Sequence, residues 1–263
     1  GIAVVLNWFY GTVINSAYGI AQQVVGAVQF ISVSILNAFN PQIMKAEGAG
    51  DRNKMIVMSE YVSKYSFLLL AMVAIPLIAE MDTILQLWLG EVPEYSSIFC
   101  QLILIAALCD QLSVGLTSAN QAIGNIRNYT LIFYTLKLMV LIIGWICLYF
   151  GMSVASILWC YVGIELFTSL LRLPLMKWIA DIPILPFCKH VFGRIIVPLI
   201  VMCSVCIICV RYIQTPYRLV ITIGLSVVIG GISIWLTAIN KQEKEIIIQS
   251  LNRFIPHNAK RHS

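Results

Sequence analysis

The feature that most constrains this chain is a long N-terminal stretch without charge, because no Lys, Arg, Asp or Glu occurs before Lys45. Residues 11–40 are long enough to cross a bilayer as one helix, since about 20 apolar residues suffice. Side-chain amides recur along this segment at spacings that place them near one helix face, with glycines between them. These amides are Asn15, Gln22, Gln29, Asn37 and Asn40. Lipid cannot hydrogen-bond amides, so the stripe is expected to face either neighbouring helices, as packing contacts, or a hydrated cavity.

The composition of the whole chain also indicates a membrane protein. Of the 263 residues, 60% are hydrophobic and 11% are charged, and the mean hydropathy is +0.89. A soluble domain has about 25% charged residues. The net charge of +5 lies in short connections rather than in a basic stripe with interleaved aromatic residues. Nucleic acid is therefore not predicted as a partner.

The residue types that carry catalysis or bind metals form no recognisable arrangement. The eight cysteines lie in or beside apolar segments. Cys203, Cys206 and Cys209 have a spacing similar to that of metal ligands, but an apolar helix without a His partner favours simple packing. No disulfide framework, catalytic triad or phosphate-binding glycine loop is evident. The sequence predicts no enzyme activity, no metal and no cofactor.

The apolar segments predict an all-α protein with seven membrane spans. The spans are residues 13–40, 65–89, 97–123, 129–150, 154–173, 195–210 and 219–239. Pro41 is expected to end the first span, and Asp51 to cap the helix that follows a polar connection. Residues 1–10 are interpreted as the end of a truncated helix. Residues 174–193 are predicted to form an interfacial elbow, and residues 241–263 a basic, amphipathic cytoplasmic tail.

The distribution of positive charge predicts the orientation of these spans. Of the 17 Lys and Arg residues, only Arg211 and Arg218 lie in connections on one side, and only Lys137 lies deep within a span. The other basic residues lie in connections on the opposite side, which the positive-inside rule assigns to the cytoplasm. Trp145 is then expected at the outer interface.

Three charged residues are predicted to lie inside the bilayer, namely Asp110, Lys137 and Glu165. A charge at mid-helix costs about 2.5–3.5 kcal/mol on insertion scales, so each needs a partner or water. Lys137 is expected to pair with Asp110 or with Glu165. The pair either changes as the protein switches state or is a fixed structural contact.

The third span adds a second polar face to the bundle. Asp110, Ser113, Thr117 and Gln121 are spaced to share one side of a helix, as the amides of the first span do. Two polar faces in one bundle suggest a hydrated pathway. Its predicted lining is Asn15, Gln22, Gln29 and Asn37 together with Ser113, Thr117 and Gln121.

Four short runs in this order carry a family resemblance, namely NPQIMKAEGAGD, SKYSFLLL, ILQLWLGEVPEY and SANQAIGNIRNY. They resemble bacterial oligosaccharide flippases of the O-antigen and capsule type, within the multidrug/oligosaccharidyl-lipid/polysaccharide exporter superfamily. The resemblance implies two six-helix lobes around a central cavity. Residues 11–173 would then supply five helices of the second lobe, and residues 194–240 two additional helices. The first lobe would lie in an N-terminal part that this chain lacks.

The resemblance also implies a substrate and a location. The substrate would be an oligosaccharide on a polyprenyl pyrophosphate, moved across the bacterial inner membrane by alternating access for surface polysaccharide synthesis. Its partners would be this lipid-linked glycan, membrane lipid and the N-terminal lobe. Arg127 and Arg172, at the inner mouth, would contact the pyrophosphate together with the deeper Lys137.

Three alternatives remain open from the sequence. A multidrug or cation antiporter of the same superfamily would share the fold but should have a more acidic and aromatic cavity. A membrane polysaccharide polymerase would need a sizeable loop with acid or base residues, whereas the predicted outer loops are short. A non-transporting assembly subunit is the third alternative.

Overall fold

In the computed structural model, residues 1–240 and 243–245 are described, and every regular element in that part of the chain is helical. The helices are α1 Ile2–Gly48, α2 Arg52–Ala79, α3 Met81–Leu89, α4 Ser96–Gln111, α5 Val114–Ile123, α6 Ile126–Tyr149, α7 Ser156–Ala180, α8 Ile184–Phe187, α9 Gly193–Tyr212 and α10 Arg218–Ser233. Two π-helical turns, Cys188–Phe192 and Ile234–Ala238, adjoin α9 and α10. Apart from residues 243–245, the predicted cytoplasmic tail lies outside the described residues.

The lengths and composition of these helices agree with an all-α chain that has several candidate membrane spans. Six helical runs are long and apolar enough to cross a membrane, and the bent pair α4–α5 would make a seventh. The prediction of an all-α fold is therefore confirmed for the described residues.

The first helix has a break near its start and extends beyond its predicted C-terminal end. It is broken at Gly11, whose φ of 74° is unfavourable for residues with a side chain, so residues 2–10 form a separate helical segment. The helix also continues through Pro41 to Gly48, although Pro41 was expected to end it. Burial of Ile43 and Ala46 against the bundle stabilises this extension and offsets the one backbone hydrogen bond that proline removes. The predicted cap is present, because Asp51 accepts a hydrogen bond from the backbone of Lys54.

Two later helix boundaries also correct the sequence prediction. The third predicted span is two helices, α4 and α5, which meet at an angle of 46°. Asp110 and Thr117 therefore do not lie on one straight helix face. The fifth span does not end before Pro174, because α7 continues through this residue to Ala180. The predicted elbow accordingly begins only at Asp181, and Arg172 lies about two turns inside the helix.

Helix α2 occupies the centre of the bundle. It packs against α1, α4 and α5 on one side and against α9 and α10 on the other. Helix α7 packs between α4 and α6, so it brings α6 to the side of the bundle opposite α9 and α10. This arrangement places the end of α4, the start of α5 and the middle of α6 and α7 next to one another.

The contact between α2 and α5 is closest at Gly115. A Cβ atom at this position would overlap the backbone carbonyl of Ser59 and approach the Ser63 hydroxyl, which already accepts a hydrogen bond from the Gly115 backbone at 3.0 Å. We expect Gly115→Ala to lower the free energy of unfolding by about 1–3 kcal/mol, because the backbone cannot yield as a flexible side chain would. Thermal unfolding of the purified protein measures the change.

Gly163→Ala is the matched control, because nothing lies within 4 Å of its added methyl group. An exposed Gly-to-Ala change within a helix should leave stability unchanged or raise it by about 0.5–1 kcal/mol. Equal effects of the two substitutions would contradict the close α2–α5 contact.

Candidate functional site

Four charged side chains from three helices meet where α4, α6 and α7 come together. Lys137 Nζ lies 2.9 Å from Glu165 Oε1 and 3.7 Å from Asp110 Oδ1. Arg172 Nη2 lies 2.7 Å from the same Asp110 oxygen. Lys137 was predicted to pair with Asp110 or with Glu165, and it contacts both carboxylates. Arg172 makes the cluster electrically balanced. We call these four residues the ion cluster.

Arg172 is the member of the cluster that sequence reasoning placed wrongly. It was expected at the inner mouth, but it is almost fully buried and contacts the broken end of α4. Its Nη1 donates to the backbone carbonyl of Asp110 at 3.2 Å and to the Ser113 hydroxyl at 3.3 Å. The bend after α4 interrupts regular helical bonding there, so the guanidinium satisfies groups that a helix end leaves free. The spacing of Glu165, Ser169 and Arg172 on one face of α7 was the available signal.

Burial differs sharply within the ion cluster. The side chain of Glu165 is 1% exposed, whereas that of Lys137 is 34% exposed. The contact between them is an ion pair without the alignment of a hydrogen bond. Removing water from a carboxylate is costly unless a cation neutralises it. Lys137 therefore lies between the buried carboxylate of Glu165 and an open space on the opposite side of the lysine.

That space is a cavity of about 170 Å³ between α5, α6 and α7. Its polar lining includes two predicted pathway residues, Thr117 and Gln121, together with other amide, hydroxyl and aromatic side chains. The full lining is Thr117, Asn120, Gln121, Ile126, Tyr129, Thr130, Phe133, Tyr134, Lys137 and Arg172. The charged members of this lining are both cations, and the carboxylates that pair with them, Asp110 and Glu165, are not part of it.

The predicted pathway residues outside this cavity lie in two places. Ser113 is buried in the break between α4 and α5, where its hydroxyl lies 2.6 Å from that of Ser169. On α1, the side that packs against the bundle is lined by apolar and small residues such as Ala21 and Val25. The amides of Gln22 and Gln29 flank this packed side and are exposed.

The other three amides of the predicted stripe differ in burial. Asn37 is exposed, whereas Asn15 and Asn40 are half-buried. The rest of the described chain therefore leaves Gln22, Gln29 and Asn37 uncovered, so packing within this chain does not account for these three amides. Arg127, the other predicted pyrophosphate contact, is exposed in the first turn of α6, next to the cavity-lining Ile126.

Two further charged contacts join α2 to the C-terminal helix pair, and sequence reasoning did not identify them. Near the middle of α2, Lys64 Nζ lies 2.7 Å from Glu243 and 3.3 Å from the carbonyl of Ala238. Just beyond the C-terminal end of α2, Glu80 accepts hydrogen bonds from the guanidinium of Arg218. Lys64 and Glu80 are about 24 Å apart at 1.5 Å per residue. The C-terminal part of the chain is therefore held to α2 at two points, the middle of α2 and its C-terminal end.

No group of three or more His, Cys, Asp or Glu side chains in the described residues could hold a metal ion. Comparison with protein-family models, with curated proteins and with solved structures finds no match. Function therefore has to be inferred from the residues and their geometry.

Proposed function

We propose that this chain forms one helical lobe of a multi-pass transporter in the bacterial inner membrane, and that the transporter moves an oligosaccharide linked to polyprenyl pyrophosphate to the outer leaflet. The observation that carries the proposal is the sign of charge at the cavity. Lys137 and Arg172 line it, whereas their carboxylate partners Asp110 and Glu165 do not. A cavity with cationic groups among amides and hydroxyls suits an anionic, sugar-bearing molecule.

Each part of such a substrate has a matching surface. Its pyrophosphate would meet Lys137, whose side chain remains partly exposed although it is paired with Glu165. Sugar hydroxyls would exchange hydrogen bonds with Asn120, Gln121 and Thr130 along the cavity. The prenyl chain would stay in lipid, next to apolar side chains exposed along α9 and α10.

The exposed amides of α1 support a transport pathway that is larger than this cavity. Gln22 and Gln29 would be poorly accommodated by lipid, and the described chain does not cover them. A second helical lobe facing α1 would enclose them in a hydrated space. Rearrangement of the two lobes about that space would expose the substrate alternately to the two sides of the membrane.

A multidrug or cation antiporter would use the same architecture. Its cavity should present carboxylates to a cationic drug. Here Glu165 is 1% exposed, the 29% exposed Asp110 is paired with Arg172, and the charged side chains that line the cavity are cations. The electrostatic match therefore favours the anionic substrate.

Complementation tests the substrate directly. The natural gene that encodes this chain is expressed in a strain whose own oligosaccharide flippase has been deleted, and surface polysaccharide is measured by gel and by antibody binding. Restored surface polysaccharide is expected. Resistance to toxic organic cations without restored polysaccharide would show the antiporter instead and would overturn the proposal.

Substitutions in the cavity test the role of the ion cluster. We expect Lys137→Ala and Asp110→Asn to abolish most of the complementation, singly and together, because the first removes the exposed cation and the second disturbs its partner. Full activity of both single variants would rule out a role in transport. Lys177→Ala is the control, since this lysine does not line the cavity.

Gln121→Ala separates transport from folding. This substitution removes an amide from the cavity without leaving a buried charge unpaired, so the amount of protein in the membrane should stay unchanged. A drop in surface polysaccharide at equal protein level is the expected result.

A further inference from the structure

The helices α6 and α7 approach each other closely near the turn that joins them. Gly144 packs directly against the side chain of Ile157, and a Cβ atom at Gly144 would overlap it. The chain then reverses at Gly151, whose φ of 75° suits glycine. The absence of a side chain at Gly144 allows the two helices to come close together between this contact and the turn.

Two cysteines face each other across this close approach. The sulfur atoms of Cys147 and Cys160 lie 3.9 Å apart, and both thiols are half-buried. A disulfide has a sulfur–sulfur distance of about 2.05 Å, so closing the gap requires the two sulfur atoms to approach by about 2 Å.

The charge distribution indicates which side of the membrane this turn faces. Residues 150–155 contain no Lys or Arg, whereas the opposite ends of the two helices carry Arg127 and Lys177. Trp145 stacks on Tyr149 at 5.3 Å close to the turn, as aromatic residues do at a membrane interface. The positive-inside rule places the turn on the extracytoplasmic side, where disulfides form and persist.

We propose that Cys147 and Cys160 form a disulfide that covalently joins α6 to α7 at their extracytoplasmic ends. This inference depends on the membrane orientation adopted for the proposed function. The oxidant is a disulfide-bearing thiol oxidant of that compartment. One cysteine thiolate attacks the disulfide of the oxidant to form a mixed disulfide, and the second thiolate then displaces the reduced oxidant. Two electrons pass to the oxidant, which leaves as a dithiol with the two protons.

The bond would fix the relative positions of the two helices that carry Lys137 and Glu165. Lys137 lies about 15 Å along α6 from Cys147, and Glu165 about 8 Å along α7 from Cys160. Because both helices continue without a break between these points, a link at one end limits sliding at the ion pair. The α6–α7 hairpin would then move as one unit.

Differential alkylation of the full chain in its own membrane tests the proposal. Growing cells are treated with N-ethylmaleimide and lysed in denaturant that contains it, so that exposed and buried free thiols are all blocked, and the protein is then reduced and reacted with a polyethylene glycol maleimide. The wild type is expected to gain two adducts, because only cysteines that were in a disulfide become reactive. Cys147→Ser and Cys160→Ser should each gain none, and Cys203→Ser should still gain two. Peptide mass spectrometry should recover the linked pair, with a mass two hydrogens lower than the sum of the thiol peptides.

Absence of adducts in the wild type would overturn the proposal, as would adducts that persist in Cys147→Ser. Labelling of Ser153→Cys by a membrane-impermeant maleimide in intact cells identifies the cause of a negative result. If the turn is labelled but the native thiols are free, the disulfide is wrong while the orientation stands. If the turn is labelled only in inverted vesicles, the orientation is wrong and the disulfide proposal fails with it. Complementation of surface polysaccharide is scored separately, so loss of the disulfide is distinguishable from loss of the proposed function.

Discussion

We expect Asp110→Ala to lower the free energy of unfolding by about 3–5 kcal/mol, which is the usual effect of removing one partner of a buried ion pair. The side chain of Arg172 is 7% exposed, and Asp110 is its closest carboxylate. Without Asp110, the guanidinium retains the Ser113 hydroxyl and a backbone carbonyl, neither of which carries the opposite charge. Thermal unfolding in detergent, followed by size-exclusion chromatography, measures the loss.

Two variants show whether the effect comes from the unpaired charge. Arg127→Ala removes an exposed arginine from α6, and stability should change by no more than about 0.5 kcal/mol. The double variant Asp110→Ala with Arg172→Leu should be more stable than Asp110→Ala alone, because no buried charge is left without a partner. A double variant with the summed losses of the two single variants would contradict the pairing.

We expect Arg218→Ala to cause a loss of similar size, about 3–5 kcal/mol, and to loosen the attachment of α10 to α2. The Glu80 side chain is fully buried, and two nitrogens of Arg218 donate to its oxygens at 2.9–3.2 Å. The Thr222 hydroxyl also donates to Glu80, but it cannot neutralise the carboxylate. Thermal unfolding and limited proteolysis of the connection between α9 and α10 measure the two effects.

Arg211→Ala is the matched control, because this exposed arginine lies in the last turn of α9, on the same side of the bundle. Arg211→Ala should leave the free energy of unfolding almost unchanged. Adding Glu80→Gln to Arg218→Ala should recover part of the loss by removing the charge that was left unpaired. A neutral result for Arg218→Ala would show that Glu80 does not hold α10 in place.

Much of the ion cluster was predictable, because placing a charged side chain within an apolar helix has a large unfavourable free energy. Asp110, Lys137 and Glu165 stand out in the sequence as charges within long apolar segments, and each must find a partner. Arg172 was predicted at the inner mouth rather than in the ion cluster, because Pro174 suggested that the helix ended there. Helix α7 instead continues to Ala180, so the arginine lies among buried residues of the bundle.

The two charged contacts between α2 and the C-terminal part of the chain were less predictable. Lys64 and Glu243 are separated by 179 residues, and Glu80 and Arg218 by 138 residues. Lys64 and Arg218 each adjoin the start of a predicted span, where a charge needs no special explanation from sequence alone. The predicted polar face of the third span was wrong for a different reason. It requires one straight helix, whereas α4 and α5 meet at a bend of 46°.

The sequence by itself determined the helical class of this protein, its candidate membrane spans and the charges that had to be neutralised inside them. These properties follow from local hydrophobicity and from the cost of moving a charged group out of water. Tertiary structure alone decided that Arg172 joins Asp110, that cations rather than carboxylates line the cavity, and that Cys147 approaches Cys160. Such contacts depend on how helices distant in the chain pack together, which the local sequence pattern does not specify.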